Sequence, residues 1–255
     1  MVPLALRVHV AGTPEGIRAN IQSALARHLP ELVPALVSHD GTMVCVGSGS
    51  SMPGQVEAIR SERERGRPIL AVKGAHDFLC QHDLQPDLWL CVDPRDRAYL
   101  LKEVNDFTTY LISSRCDPSM FEALEKRRVI LVHTWAQEEQ CDEYKGKFVF
   151  GGGSTSGLRA INCAYAMGYR HFSLYGYDSC LSEDKKYKRF TGEGPGQVID
   201  VIVNGKRFWT NGAMAKQAQE LQDYYTIMPD LRLTIHGGGL LAAILDARAA
   251  RGLTT

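Results

Sequence analysis

The chain has 255 residues, 44% of them hydrophobic and 23% charged, so a sizeable core is possible without disulfide or metal staples. Lysine plus arginine equals aspartate plus glutamate at 29 each, which argues against a protein that coats nucleic acid by bulk charge. Seven cysteines, odd in number and without CxxC spacing, argue against a zinc cluster and fit a reducing compartment.

Residues 4–10 alternate like a short strand, and Thr13-Pro14 reads as a helix N-cap followed by proline at the first helical position. Ile17, Ile21, Leu25 and Leu29 mark the apolar face of that helix. Residues 1–40 are therefore expected to form a strand/helix appendage beside a main domain over 41–255. The first residues are too short and interrupted for a secretory signal, and no run of 18 apolar residues exists to span a membrane. A cytoplasmic location is expected, in a bacterium or a phage-infected host cell.

From residue 42 a new rhythm begins. Apolar runs at 42–46, 68–72, 88–92, 109–113, 129–133, 147–150, 172–175 and 231–235 predict strands. Between them fall helical stretches, among them 53–65, 78–82, 154–167 and 211–225. Continuously apolar strands alternating with helices predict an α/β, Rossmann-like three-layer sandwich with a mostly parallel sheet. The rhythm breaks at 181–210, which reads as an insertion with a loop and a β-hairpin, because Asn204-Gly205 separates two strand-like runs. The basic run Lys185, Lys186, Lys188 and Arg189 lies in it and fits either a solvated face or a lid over an anionic substrate.

Two strand-to-helix turns carry the functional reading. The first is Gly47-Ser48-Gly49-Ser50-Ser51; the second is Gly151-Gly152-Gly153-Ser154-Thr155-Ser156-Gly157. Glycines let a backbone approach a phosphate, and amides and hydroxyls at a helix start can hold the anion. The alternative is a tight turn with Thr155 or Ser154 as a plain cap. The first turn is not a Walker A loop, because no Gly-Lys-Ser/Thr follows, and no GxSxG nucleophile elbow occurs. Ser114, after the fourth of these strands, is a further candidate hydroxyl.

Asp93 and Asp178 fall just beyond buried strands, where carboxylates hold Mg²⁺ or ribose hydroxyls. Asp93 precedes Pro94 and also fits an N-cap. Asp178 and His76 are candidate general bases, and Lys73 is a candidate phosphate contact.

The succession Val46-Gly-Ser-Gly-Ser-Ser51, Ala71-Val-Lys-Gly-Ala75, Val92-Asp-Pro94, Gly151-to-Gly157 and Leu174-Tyr-Gly-Tyr-Asp178 resembles the MptE-like family. That family includes archaeal 6-hydroxymethylpterin diphosphokinases, flagellar motility accessory factors and phage proteins. The second glycine block is also distantly similar to bacterial sialyltransferases that use CMP-sugars. The resemblance implies a Rossmann-like fold and a nucleotide-dependent transferase, the nearest named chemistry being Mg²⁺-dependent diphosphate transfer from ATP to a hydroxymethyl group. It would put Gly47, Ser48, Gly49, Gly152, Ser154 and Thr155 around phosphates, and Asp93 and Asp178 toward metal or ribose. Lys73 stands where relatives commonly carry asparagine, and a lysine cannot accept hydrogen bonds from a sugar or base. The alternatives are a glycosyltransferase using a nucleotide-sugar and a non-catalytic nucleotide-binding or assembly protein. The expected partner is a small-molecule nucleotide, with no membrane and no bulk nucleic acid.

Overall fold

The computed structural model describes residues 11–135, 142–182, 197–250 and 252. The expected strand at 4–10 and the basic run from Lys185 to Arg189 lie outside the described residues.

Eight parallel strands form one sheet. They are β1 (His39–Val46), β2 (Ile69–Val72), β3 (Leu88–Cys91), β4 (Thr109–Ser113), β5 (Val129–Thr134), β6 (Val149–Phe150), β7 (Tyr169–Tyr175) and β10 (Arg232–Ile235). The sheet is apolar on both faces, as its unbroken hydrophobic runs demand. Met43, Cys45, Leu70 and Leu90 point to one face, where they pack with Leu158, Ile161 and Leu221. Val44, Val46, Ile69 and Trp89 point to the other, against Met52, Ile59 and Leu79. Helices thus cover the sheet on both sides, which is the expected three-layer arrangement.

Helix α1 (Pro14–Leu25) is capped by Thr13, whose Oγ1 accepts from the Gly16 amide at 3.1 Å, as the Thr-Pro pair predicts. Its Ile17 and Ile21 are buried with Tyr144. The segment after it is clipped to the sheet: Leu32 donates to the Leu131 carbonyl and Leu131 to that of Pro30. The helix expected over 53–65 opens as a 3₁₀ turn, Met52–Gln55, before becoming α2 (Val56–Glu64). Helix α3 (Ala75–Cys80) begins three residues earlier than expected, and α4 (Pro118–Ala123) is capped by Asp117.

Strand order is β10-β7-β1-β2-β3-β4-β5-β6. The chain marches outward from β1 to β6, then returns through α5 (Ser156–Ala166) to lay β7 on the opposite edge of β1. The carboxyl ends of β1 and β7 are therefore the topological switch point, where an open α/β sheet leaves a crevice. The predicted hairpin is present as β8 (Val198–Val203) and β9 (Lys206–Asn211), in register across Asn204-Gly205. Both turn residues have positive φ, +48° and +77°, as a type I′ turn requires. The hairpin leads into α6 (Gly212–Ile227), capped by the Asn211 side chain, and the chain closes with α7 (Leu240–Ala249).

Candidate functional site

The first glycine turn lies at the switch point. Its amides, however, do not point at an open cradle. Gly47 N–H donates to the Tyr175 carbonyl at 2.8 Å and Gly49 N–H to that of Gly176 at 2.9 Å, so both extend the pairing of β1 with β7. The Ser51 amide donates to Asp178 Oδ2 at 2.8 Å, and the Ser51 hydroxyl to Oδ1 at 2.6 Å. Ser50 Oγ lies 3.4 Å from Oδ2. The turn thus holds an anion, as its composition implies, but the anion is the carboxylate of Asp178, 4% exposed. The glycines serve close approach: a Cβ on Gly49 would fall 2.5 Å from both Asp178 Oδ2 and the Gly176 carbonyl, and one on Gly47 would fall 2.7 Å from that carbonyl.

A cavity of about 90 Å³ opens beside this turn, on the α5 and α6 side of the sheet. Gly47, Ser48 and Gly49 line it from β1, Lys73 from β2, and Thr155 and Gly157 from the start of α5. Tyr177, Ser179, Met214 and Gln217 complete the wall. Members of both glycine turns therefore meet in one place. Within the second turn the division is sharp. Thr155 caps α5, accepting from the Leu158 amide at 3.3 Å, and still lines the cavity. Ser154 turns away and donates through both its amide and hydroxyl to Glu220, at 2.8 and 2.7 Å. Gly152 and Gly153 pack against Asn162, Leu158 and Tyr224 with φ of +86° and +77°. A side chain at 153 would sit 2.3 Å from Leu158 Cβ, so these two glycines answer to packing against α5 and α6.

The remaining expected site residues are dispersed. His76 is fully buried, its Nδ1 2.9 Å from Asp77 Oδ1 and its Nε2 3.4 Å from the Tyr110 hydroxyl. Ser114 is buried between the Tyr144 hydroxyl at 2.8 Å and His133 Nδ1 at 3.1 Å. Asp93 is held by a fork: Arg95 reaches both oxygens at 2.9 and 2.8 Å, and Arg97 adds a contact at 2.8 Å. Burial alone would raise the Asp93 pKa, but the Arg95 and Arg97 hydrogen bonds outweigh it and lower it to about 2.

Asp93 follows β3 and Asp178 follows β7, and in the sheet β1 and β2 lie between those two strands. Each carboxylate is engaged by its own neighbours, and this donor set does not fit a shared Mg²⁺. Among the described residues no three His, Cys, Asp or Glu side chains gather as metal ligands.

Positive charge near the second turn comes from Arg159, which no motif flags, and from Arg115, which the Ser113-Ser114-Arg115 run after β4 offers as a guanidinium contact. Arg159, on α5, donates through Nε to the Gly153 carbonyl at 3.1 Å, and burial followed by the nearby Arg115 charge lowers its pKa. Arg115, 3% exposed, follows β4. The spacing of Arg159 within the helix gave no signal, because its neighbour comes from a strand 44 positions earlier in the chain. Ser179 also escaped notice and lines the cavity in a left-handed conformation.

A larger groove, about 830 Å³, runs along β7 and β10 on the α2 side. Its floor holds a fixed polar network. Glu62, 3% exposed, accepts from Ser173 at 2.9 Å, Tyr175 at 3.1 Å and Arg67 at 2.5 Å. These hydrogen bonds and the Arg67 charge overcome the opposing effect of burial and lower the Glu62 pKa. The groove touches neither glycine turn, so its size does not make it the nucleotide site that those turns suggest.

The family described as 6-hydroxymethylpterin diphosphokinase MptE-like matches residues 17–184, more than half of the chain. No curated protein matches the sequence. Among solved structures, the fold is similar to that of the MAf glycosyltransferase from Magnetospirillum magneticum AMB-1. The likeness has a TM-score of 0.65 at 16% identity over 96% of this chain and 43% of that one. The chain thus spans less than half the length of that protein. A mammalian sialyltransferase in complex with Gal-beta-1-3GalNAc-ortho-nitrophenol is more distantly similar, at TM-score 0.46 and 11% identity over 93% and 91% of the two chains. No described helix is long and apolar enough to cross a membrane.

Proposed function

The chain belongs to the 6-hydroxymethylpterin diphosphokinase MptE-like family, and on that premise we propose that it is a nucleotide-dependent group transferase whose donor phosphates sit at the switch-point cavity. The observation that carries this reading is the meeting of Gly47–Gly49, Lys73, Thr155 and Gly157 around one space at the carboxyl ends of the strands. At about 90 Å³ it is far smaller than the ~300–1,000 Å³ of pockets that enclose a whole small molecule. It takes one phosphate-sized group, leaving the rest of the nucleotide to lie across the outer edge of the sheet.

Transfer from a nucleotide mainly requires positioning and neutralisation of charge on the leaving group. Lys73 supplies a cation at the cavity, and Arg115 with Arg159 supplies more beside the second turn. The buried His76 and the Ser51-bound Asp178 are poor general bases in this conformation, so deprotonation of the acceptor is not assigned to either.

Two donor classes fit the family: ATP, with diphosphate transfer to a hydroxymethyl acceptor, and a nucleotide-sugar. The side-chain cations, set against carboxylates engaged by arginine and serine, favour the nucleotide-sugar reading. A thermal-shift screen of ATP, CMP-sugars and UDP-sugars, with and without Mg²⁺, tests both. A ligand at a hundred times its dissociation constant stabilises the fold by about 2.7 kcal/mol. Transfer assays with each stabilising donor then separate the chemistries. No stabilisation by any nucleotide, at concentrations well above millimolar, would falsify the transferase reading.

A further inference from the structure

The sheet ends at β10, and among the described residues no strand pairs with the outer edge of β10. Successive residues of a strand turn their amide and carbonyl groups alternately to one neighbour and the other. His236 N–H donates to the Leu174 carbonyl of β7 at 2.9 Å, which sets that alternation. Arg232 and Thr234 therefore turn their backbone groups to β7, and Leu233 and Ile235 turn theirs outward. Every residue from Leu231 to Gly237 lines the groove of about 830 Å³, whichever way it points, so the groove follows this outer edge as well as one face of the strand.

Helix α7 supplies the facing wall through Ala242, Leu245, Asp246 and Ala249, which recur at the spacing of one helical face. Its opposite stripe, Leu240, Leu241 and Ile244, packs into the core. The helix is thus apolar on two faces, and the second is left partly or fully exposed beside the strand edge. Arginines surround the space. Arg65 and Arg67 share a single carboxylate, that of Glu62, at 3.5 and 2.5 Å. Arg232 directs Nη1 to the carbonyls of Pro229 and Leu231, which carry no net charge. Arg248 and Asp246 add one charge of each sign. Four arginines against two carboxylates leave the groove positive, whichever individual pairs form.

We propose that this groove takes an extended, acidic segment of a protein partner, which adds as a further strand along the outer edge of β10. Hydrogen bonds to the outward amides and carbonyls of Leu233 and Ile235 hold its backbone. Its carboxylates face Arg65, Arg67 and Arg232, and its apolar side chains meet Leu245 and the alanines of α7. A second copy of this chain is a poor occupant, because it brings the same arginines to the same edge. The groove shares no lining residue with the switch-point cavity, so this binding does not depend on the nucleotide reading.

The probe is a short, capped, fluorophore-labelled peptide that alternates glutamate with valine and threonine, titrated by fluorescence anisotropy. One control replaces glutamate by lysine. The other is N-methylated at every second residue, in both registers, which keeps the charge and removes the edge-facing amides. The acidic peptide binds saturably, and each control binds at least about 10-fold more weakly. Arg232→Glu, at an exposed position, weakens binding of the acidic peptide about 10-fold without lowering the melting temperature. In hydrogen exchange read by NMR, the bound peptide slows the Leu233 and Ile235 amides and leaves that of Thr234, which faces β7, as it was. The proposal is overturned if the acidic peptide shows no saturable binding up to millimolar concentration, if the N-methylated peptide binds as tightly as its parent, or if the Leu233 and Ile235 amides exchange no more slowly. A concentration-dependent dimer in sedimentation that protects the same two amides assigns the edge to a second copy and overturns it as well.

Discussion

Replacing Asp178 by alanine is expected to loosen the switch point even with no ligand or metal present. The carboxylate accepts from the Ser51 amide at 2.8 Å, the Ser51 hydroxyl at 2.6 Å and more weakly from Ser50 at 3.4 Å. Hydrogen bonds to a charged acceptor contribute ~1.5–3 kcal/mol each, and the amide left behind is partly buried and unpaired. Allowing the hydroxyls to find water, the loss is about 3–5 kcal/mol, on the order of 10 °C in melting temperature for a chain of this size. Asp178→Asn keeps one oxygen for the Ser51 amide, while its NH₂ group can donate to a reoriented Ser51 hydroxyl, so it should lose only about 1–2 kcal/mol. A Cβ at 49 would fall 2.5 Å from the Gly176 carbonyl as well as from the carboxylate, so Gly49→Ala should stay destabilising even in the Asp178→Ala background. Urea and thermal melts in EDTA decide the matter. If Asp178→Ala melts within about 1 °C of wild type in EDTA but loses a Mg²⁺-dependent stabilisation, the carboxylate is a metal ligand and its bonds to Ser51 do not hold the turn.

Three further outcomes follow from the geometry. Glu62→Ala strands Ser173, Tyr175 and Arg67 around a buried gap and should cost about 3–5 kcal/mol in urea melts, whereas Arg67→Ala leaves the two hydroxyl donors in place and costs less. Asp93 has a folded pKa lowered to about 2 against an ordinary value near 4, so its contribution to stability is complete above about pH 4 and is lost as pH falls toward 2. Asp93→Asn should therefore flatten the stability–pH curve in that window while leaving the slope above pH 5 unchanged. Lys73→Gln should weaken binding of any phosphate-bearing donor and reduce the dependence of its affinity on salt, since one cation is removed from the cavity; an unaltered salt dependence would remove Lys73 from the site.

Most of the architecture was legible because its signals are local. Ile69–Val72 is buried at every position, and such a run has no better home than the middle of a parallel sheet. Thr13-Pro14, Asp117-Pro118 and Asn204-Gly205 each announce an element boundary within a few residues of chain. The site was legible only in part, because its contacts are distant in sequence. Gly47-to-Ser51 has the composition of an anion cradle, but its anion, Asp178, is 127 positions from Ser51. Nothing near Asp178 tells that it meets two serines. The fork on Asp93 could have been read from the nearby chain, since arginines two and four residues on can fold back to it. Lys73 and Ser179 carry residue types that give no sign of positive φ; their conformation is imposed by tertiary partners.

The placement of β1 has a consequence for how the protein is made. Its apolar strand pairs on one side with β2, which is translated soon after it, and on the other with β7, which ends at Tyr175. At ~5–20 residues per second, ribosomes need roughly 6–25 s to travel from Val46 to that point. Throughout that interval the nascent chain carries a hydrophobic strand with a naked edge, the template on which neighbouring polypeptides stack. Prematurely terminated products that stop before residue 169 should therefore precipitate or be captured by holdase chaperones, whereas release after β7 has emerged closes the edge and frees the product.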